Sequence, residues 1–170
     1  MGKEQSLVII KPDGLLKSLT GNIITELSEL KLKIVGAKVV KVSRELAEKH
    51  YADMKGRKPE HIIEGTIKYL MGEFHTDRVL ALVYEGENAI EKIRKICGST
   101  NPEEADPVSI RGKYGRINSK TGVFENGVHT SADETGAKRD IQLWFSPNEL
   151  TSIVYPTKKI KIEKEEIVWK

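Results

Sequence analysis

A single cysteine, Cys97, stands in a chain of 170 residues, so no disulfide framework can form within it and a reducing compartment is expected. Aromatic residues make up only 6 % of the chain, and the aromatic strand signature with which some sheets stack RNA bases is missing. The net charge of +3 is too small to argue for nucleic acid by itself. Long apolar runs are missing too. Near the start only Leu7 to Ile10 are consecutively apolar, too few for a secretory signal, and no run is long enough to span a bilayer. The expectation is therefore a cytoplasmic protein with no membrane association and no nucleic-acid partner. Short signatures are lacking as well. "GRINSKT" at 115 comes nearest to G-x-x-x-x-G-K-[ST] but has no glycine before its lysine, and G-x-G-x-x-G, C-x-x-C and H-E-x-x-H do not occur. Without a P-loop, a dinucleotide fingerprint or a zinc site, any phosphate chemistry must be assembled from separate cationic side chains.

What is present suits one globular domain: 38 % hydrophobic and 31 % charged residues, in a chain long enough to bury a core unaided. Leu7-Val8-Ile9-Ile10 reads as a buried strand closed by the turn Lys11-Pro12-Asp13-Gly14. Thr20 is placed to cap a helix whose Ile23, Ile24, Leu27 and Leu30 share a face. Residues 34–42 read as a second strand, Ser43 as the cap of a helix to about Lys55, and Ile62 to Met71 as another helix. "RVLALVY" (78–84) is a third strand, followed by a helix with Ala89, Ile90, Ile93, Ile96 and Cys97 inward and Gly98 at its end. A long loop is expected over 98–130, then a short helix capped by Ser131, then a last strand at "IQLWF" (141–145). This order allows either a parallel Rossmann-type sheet or an α+β sandwich of the split βαβ kind.

Taken singly, the chemical signals are weak. Lys11 stands at the end of the first strand, where such folds present ligand groups. Arg94 lies on an amphipathic helix, and Thr100 and Arg111 lie in the long loop. His50, His61 and His75 read as surface or packing histidines. His129 differs in its neighbours: Asn126 three residues before, Ser131 two after, and Asp140 at the far end of the next helix.

Together these residues carry a resemblance. "VIIKPDG" (8–14), "EKHYADMKGR" (48–57), "IRKICGSTNP" (93–102), "SIRGKYG" (109–115) and "NGVHTSADETGAKRDIQLWF" (126–145) make the chain resemble the nucleoside diphosphate kinases. The likeness runs from the first strand to about Leu150, and the N-x-x-H-x-S cluster with its L-W-F end is highly specific. It implies a nucleoside diphosphate kinase domain over 1–150 and a charged C-terminal extension over 151–170. The implied fold is α+β, a ferredoxin-like sandwich whose four-stranded antiparallel sheet is covered by helices. The implied activity is ping-pong transfer of the γ-phosphate of a nucleoside triphosphate, typically ATP, to a nucleoside diphosphate. It proceeds through a phosphohistidine, with Mg2+ on the phosphates and in a homo-oligomer (hexamer, tetramer or dimer). By the same resemblance His129 is the nucleophile, with Ser131 beside it and Asp140 orienting its ring. Lys11, Tyr51, Ile62, Arg94, Thr100, Arg111 and Asn126 are the nucleotide-contacting positions, and Lys11 also serves the catalysis.

The chemistry fits those residue types. A histidine nucleophile must be neutral at its attacking nitrogen, and its second nitrogen needs an acceptor that fixes the tautomer. The transferring phosphoryl group spreads charge over three oxygens, so catalysis is mostly positioning and cationic stabilisation. The chain departs from the family at several points. Asp140 replaces a glutamate one methylene longer, so either its helix sits closer to the ring or a water bridges. Thr130 and Ala132 replace a glycine and an aspartate, and Thr130 is expected to narrow the pocket. Ile62 stands where an aromatic usually stacks on the base, with His61 as the other candidate for that place, and Val123 is expected to cover the base's other face. The stretch from Arg111 to Asn126 is expanded. A degenerate member that binds nucleotides or partners without efficient turnover is the alternative.

Overall fold

The computed structural model describes residues 3–161 together with Glu163, Glu165 and Trp169. Its centre is the apolar run found near the start of the sequence. Strand β1 covers Glu4–Ile10, and its last six residues are buried. Side chains alternate along a strand, so Leu7 and Ile9 enter one core while Val8 and Ile10 enter the other. A run apolar at every position belongs in a strand covered on both faces.

The remaining elements follow in chain order. Helices α1 (Pro12–Leu16) and α2 (Thr20–Ser28) lead to strand β2 (Lys33–Val40). Helix α3 (Arg44–His50), a 3-10 turn over Ala52–Met54 and helix α4 (Glu60–Met71) precede strand β3 (Val79–Gly86). Helix α5 (Ala89–Cys97), helix α6 (Ile110–Tyr114), the short strands β4 (Arg116–Ile117) and β5 (Phe124–Glu125), strand β6 (Val128–Thr130) and helix α7 (Glu134–Trp144) complete the fold. The sheet order is β2-β3-β1-β6, with every pairing antiparallel. Strands β1 and β2 therefore run the same way with β3 between them, which is the split βαβ arrangement of the ferredoxin-like sandwich and not a parallel Rossmann sheet. One face is covered by α3, α4 and α7 through Ala47, Ile63, Ile67, Leu70, Ile141 and Trp144. The other is covered by α2, α5 and α6 through Ile23, Leu27, Ile93, Cys97 and Ile110.

Several local expectations are corrected. "IQLWF" is not a strand: residues 141–144 are the last turn of α7 and Phe145 ends it. Ala137, Ile141 and Trp144 recur at helical spacing and are buried, and this outweighs the β-prone run Leu143-Trp144-Phe145. The fourth strand is β6, which was expected to be loop. Ser131 does not cap α7; Asp133 does, accepting the Gly136 N–H at 2.7 Å, because Ser131 is still held to Leu7 beside the sheet. Position Leu19, not Thr20, precedes the first helical residue of α2. The helix capped by Ser43 stops at His50, and Lys55 follows the 3-10 turn. The supposed loop 98–130 holds α6 and the antiparallel pair β4–β5, in which Arg116 faces Glu125 and Ile117 faces Phe124.

Beyond Leu150 the chain continues along the sheet. Thr151 donates its N–H to Val35 O at 2.8 Å, and Gln5 Nε2 donates to Ser152 O at 3.0 Å. Residues 162, 164, 166–168 and 170 of the expected C-terminal extension lie outside the described residues.

Candidate active site

Strand pairing sets the position of His129. It lies opposite Ile9 in the β1–β6 register, so its side chain shares the sheet face covered by α3 and α7. Helix α7 brings Asp140 to it: His129 Nε2 is 3.3 Å from Asp140 Oδ2. Ser131 Oγ donates to the same oxygen at 3.0 Å, and Arg139 Nη2 donates to Asp140 Oδ1 at 2.9 Å. The shorter carboxylate thus reaches the ring directly, and no bridging water is needed. Burial works against the Asp140 carboxylate's charge, but the His129 ring and the Arg139 guanidinium outweigh it and bring its pKa to about 2. An ionised carboxylate can only accept, so the Nε2–H of His129 donates to it and Nδ1 keeps the lone pair. Burial pushes the His129 pKa below its usual value, against the pull of Asp140 and helped by Lys11 and Arg111. The ring is therefore neutral near neutral pH.

Thr130, beside His129, pairs with Val8 and alternates to the opposite face of the sheet, so it does not narrow the pocket. Ala132 is exposed.

Lys11 directly follows β1 and Asn126 shortly precedes β6, so the sheet brings them together. The Lys11 backbone N–H donates to Gly127 O at 2.8 Å, and its Nζ donates to Asn126 Oδ1 at 2.9 Å. Asn126 Nδ2 in turn donates to Thr100 O at 2.7 Å. Burial, reinforced by Arg111 and partly opposed by Asp13, lowers the Lys11 pKa to about 7. Arg111 donates from Nη1 to Gly98 O at 2.7 Å and from Nη2 to Val128 O at 3.2 Å, while its buried Nε has no partner among the described residues. Tyr51 is buried, its hydroxyl has no partner among the described residues, and burial raises its pKa.

Two adjoining cavities open at this end of the sheet. One of about 500 Å³ is lined by polar and cationic groups including Arg94, Thr100 and Arg111. The other, of about 360 Å³, is lined by Lys11, Met54, Ile62, Thr66, Val123 and Asn126 among others. Of the expected site residues Lys11, Ile62, Arg94, Thr100, Arg111 and Asn126 line these cavities, whereas His129, Ser131, Asp140 and Tyr51 line neither and form a second group within reach of the charges of Lys11 and Arg111. Arg94 and Thr100 are exposed, and Ile62 is partly so; His61 is exposed and lines neither cavity.

Three residues escaped the sequence reading. His50, taken for a surface or packing residue, is buried with its ring centroid 4.2 Å from that of His129. Its Nδ1 accepts the Trp144 Nε1–H at 3.1 Å. The indole can only donate, so the His50 proton sits on Nε2, the Nδ1 lone pair is taken, and neither nitrogen is free as a ligand. That tautomer argues against His50, His129 and Asp140 as a metal cluster, although their ligand atoms lie within 4.8 Å of one another. Asp13 is fully buried, accepting from the Tyr69 hydroxyl and from the Gly127 N–H, and so ties the start of β6 to α4. Glu125, also buried, lies 2.6 Å from Arg116 Nε and 3.2 Å from His75 Nε2. The sequence hinted at the first two, since His50 adjoins Tyr51 and Asp13 belongs to K-P-D-G. Nothing in it singled out Glu125.

With fold and site in place, the comparisons agree. The family model described as Nucleoside diphosphate kinase matches residues 4–150. The nucleoside diphosphate kinase of Listeria monocytogenes serotype 4b is 42 % identical over 149 residues, covering 88 % of this chain and 93 % of that protein. That of Pyrococcus furiosus is 42 % identical over 147 residues, 86 % of each. Among solved structures, a transition-state mimic of the Borrelia burgdorferi nucleoside-diphosphate kinase with bound vanadate and ADP superposes with a TM-score of 0.80 at 34 % identity, over 90 % of this chain and 93 % of that one. A Halobacterium salinarum nucleoside diphosphate kinase in complex with CDP gives 0.77 at 33 %, over 91 % and 95 %. These matches make the protein a phosphotransferase. The chain belongs to the nucleoside diphosphate kinase family.

Proposed function

We propose that this nucleoside diphosphate kinase works through His129, whose Nδ1 attacks the γ-phosphorus of a bound nucleoside triphosphate. The P–N bond forms as the bond to the bridging β–γ oxygen breaks, and the nucleoside diphosphate leaves with that oxygen. A second diphosphate then takes the phosphoryl group from the ring by the reverse route. The observation that carries this reading is the tautomer: Nε2–H is committed to Asp140, so Nδ1 is the nucleophilic nitrogen in a buried site beside Lys11 and Arg111.

Asp140 stabilises the positive charge that develops on the ring, and Ser131 holds the carboxylate through its shared oxygen. Lys11, Arg94 and Arg111 offset the charge on the phosphate oxygens, and the donors assigned to them are Thr100, which lines the polar cavity, and the Tyr51 hydroxyl, which has no partner among the described residues. Asn126 orients the Lys11 ammonium, and Ile62 lines the base end of the cleft. Magnesium belongs to the substrate. Glu104 is the one carboxylate lining the two cavities among the described residues, and Asn101 Nδ2 donates to it at 2.9 Å; Asp13 and Asp140, off the cavities, are likewise occupied by protein donors, so the ion is assigned to the nucleotide phosphates, where it neutralises charge. The substrates are ATP and other nucleoside tri- and diphosphates.

Assembly into a homo-oligomer and a cytoplasmic location belong to the same proposal. The outer edge of β2 lacks a strand partner among the described residues and exposes Val39 and Ile34. No helix among the described residues is long and apolar enough to cross a membrane.

The test is direct. Incubation with γ-labelled ATP and magnesium should give an acid-labile, base-stable phosphoprotein, discharged by several nucleoside diphosphates and absent in His129→Ala. Label that persists when diphosphates are added would favour a binding protein without turnover.

A further inference from the structure

The expanded segment between Arg111 and Asn126 builds a wall of the cleft that the reading above leaves unused. Strands β4 and β5 form a hairpin closed by Asn118, which donates its N–H to Val123 O at 3.0 Å and accepts the Gly122 N–H at 2.8 Å. The hairpin is held from within. The buried Glu125 carboxylate takes Arg116 Nε and Asn118 Nδ2, each at 2.6 Å, and lies beside His75. Val123 seats against α4 at Gly65, where an added Cβ would come within 3.2 Å of it. Alternation along β5 then turns Phe124 away from the Glu125 anchor. Phe124 lines both cavities and is the one aromatic side chain lining either, among the described residues. It is 37 % exposed, although it sits in a segment tied down by charge-assisted bonds. Met54, Pro59 and Ile62 line the same cavity from the α3–α4 side.

We propose that Phe124 is the stacking face for the nucleobase, with the aliphatic groups of the α3–α4 side closing over the base. This rests on the nucleotide-kinase reading and deepens it. Every base has a π face, so a stacking wall with few edge-directed donors accepts all of them. It still grades them by ring size, since the larger purine overlaps more of the phenyl ring. Phe124 thereby makes the site general for nucleotides and biased toward purines. Glu125, through the hairpin, is its positioning residue.

The experiment uses the full chain, phosphorylated at first with ATP, and measures discharge by ADP, GDP, CDP and UDP. In Phe124→Ala the KM for the purine diphosphates should rise by about tenfold, with a smaller rise for the pyrimidines, the effect falling on KM rather than on the transfer rate at saturation. Phe124→Leu keeps apolar volume without the π face and should retain most of this loss. Phe124→Trp should show indole emission quenched by ADP beyond any change in the parent protein. An unchanged purine KM in Phe124→Ala overturns the proposal. So does full recovery in Phe124→Leu, which would make the residue an apolar filler, or Trp emission at position 124 that ignores bound ADP. If the parent chain itself fails to transfer phosphate, the enzyme reading has failed; if the parent turns over while Phe124→Ala matches it, only the stacking assignment has.

Discussion

Replacing Asp140 by Asn keeps an acceptor of the same size but removes the charge that faces His129. The Nε2–Oδ2 separation is 3.3 Å. A full ion pair at that distance would be worth about 5 kcal/mol at an effective dielectric constant near 20. That is an upper bound, because Arg139 at 2.9 Å already offsets part of the carboxylate's field. The distance is also at the long end for a hydrogen bond. A charge-assisted bond contributes roughly 1.5–3 kcal/mol, which is the loss to expect in the transition state, where the ring turns cationic. Asp140→Asn should therefore slow phosphorylation by roughly ten- to hundredfold. Nucleotide affinity should change little, since Asp140 faces the ring and Arg139 and not the cleft cations. Rapid-quench single turnovers with γ-labelled ATP, set beside equilibrium binding of ADP, read the two effects separately. A rate within threefold of the parent, or a loss of affinity as large as the loss of rate, would refute the orienting role.

Other perturbations bear on other parts of the site and scaffold. In the free enzyme kcat/KM should fall at acid pH as His129 takes up a proton, below its usual 6.5 because burial depresses it, and should fall again as Lys11 loses its charge through about 7. Bound phosphates hold that charge on Lys11, so the kcat profile should keep its plateau to higher pH; superimposable alkaline limbs would tell against the Lys11 assignment. Arg111→Lys loses the fork that spans Gly98 O and Val128 O, and kcat/KM should drop by about tenfold or more. Gly72 ends α4 at φ +86, and a Cβ there would meet Thr76 O at 1.9 Å. Gly72→Ala should therefore cost about 1–3 kcal/mol, read by calorimetry as a Tm lower by several degrees with turnover at 25 °C retained.

The strands with apolar cores and the helices with period-3.6 faces were legible because burial alone selects their residues. β6 was not, because three residues in a strand carry too little pattern to register, and its neighbours Gly127 and Asn126 read as turn. The error at "IQLWF" has the same origin: three adjacent large apolar residues look like a strand until Ala137, four positions before Ile141, is counted with them. The site was readable where it lies in motifs close in sequence. Tyr51 reaches it only through tertiary packing, and its recruitment came from the resemblance; Arg94 and Asp140 gave weak signals of their own, and the resemblance supplied their roles. What stayed hidden arises from long-range pairing. His50 joins His129 across 79 positions of chain, and His75 and Glu125 are brought together by a hairpin whose two-residue strands have no periodicity to read.

The placement of His129 opposite Ile9 has a consequence for how this site can be lost. Side chains reverse face at each step along a strand, so slipping β6 by one residue against β1 would hand the α7 side Val128 or Thr130 and send the imidazole into the opposite core. A single-residue insertion or deletion around Gly127 would then silence the enzyme while leaving its sheet order unchanged.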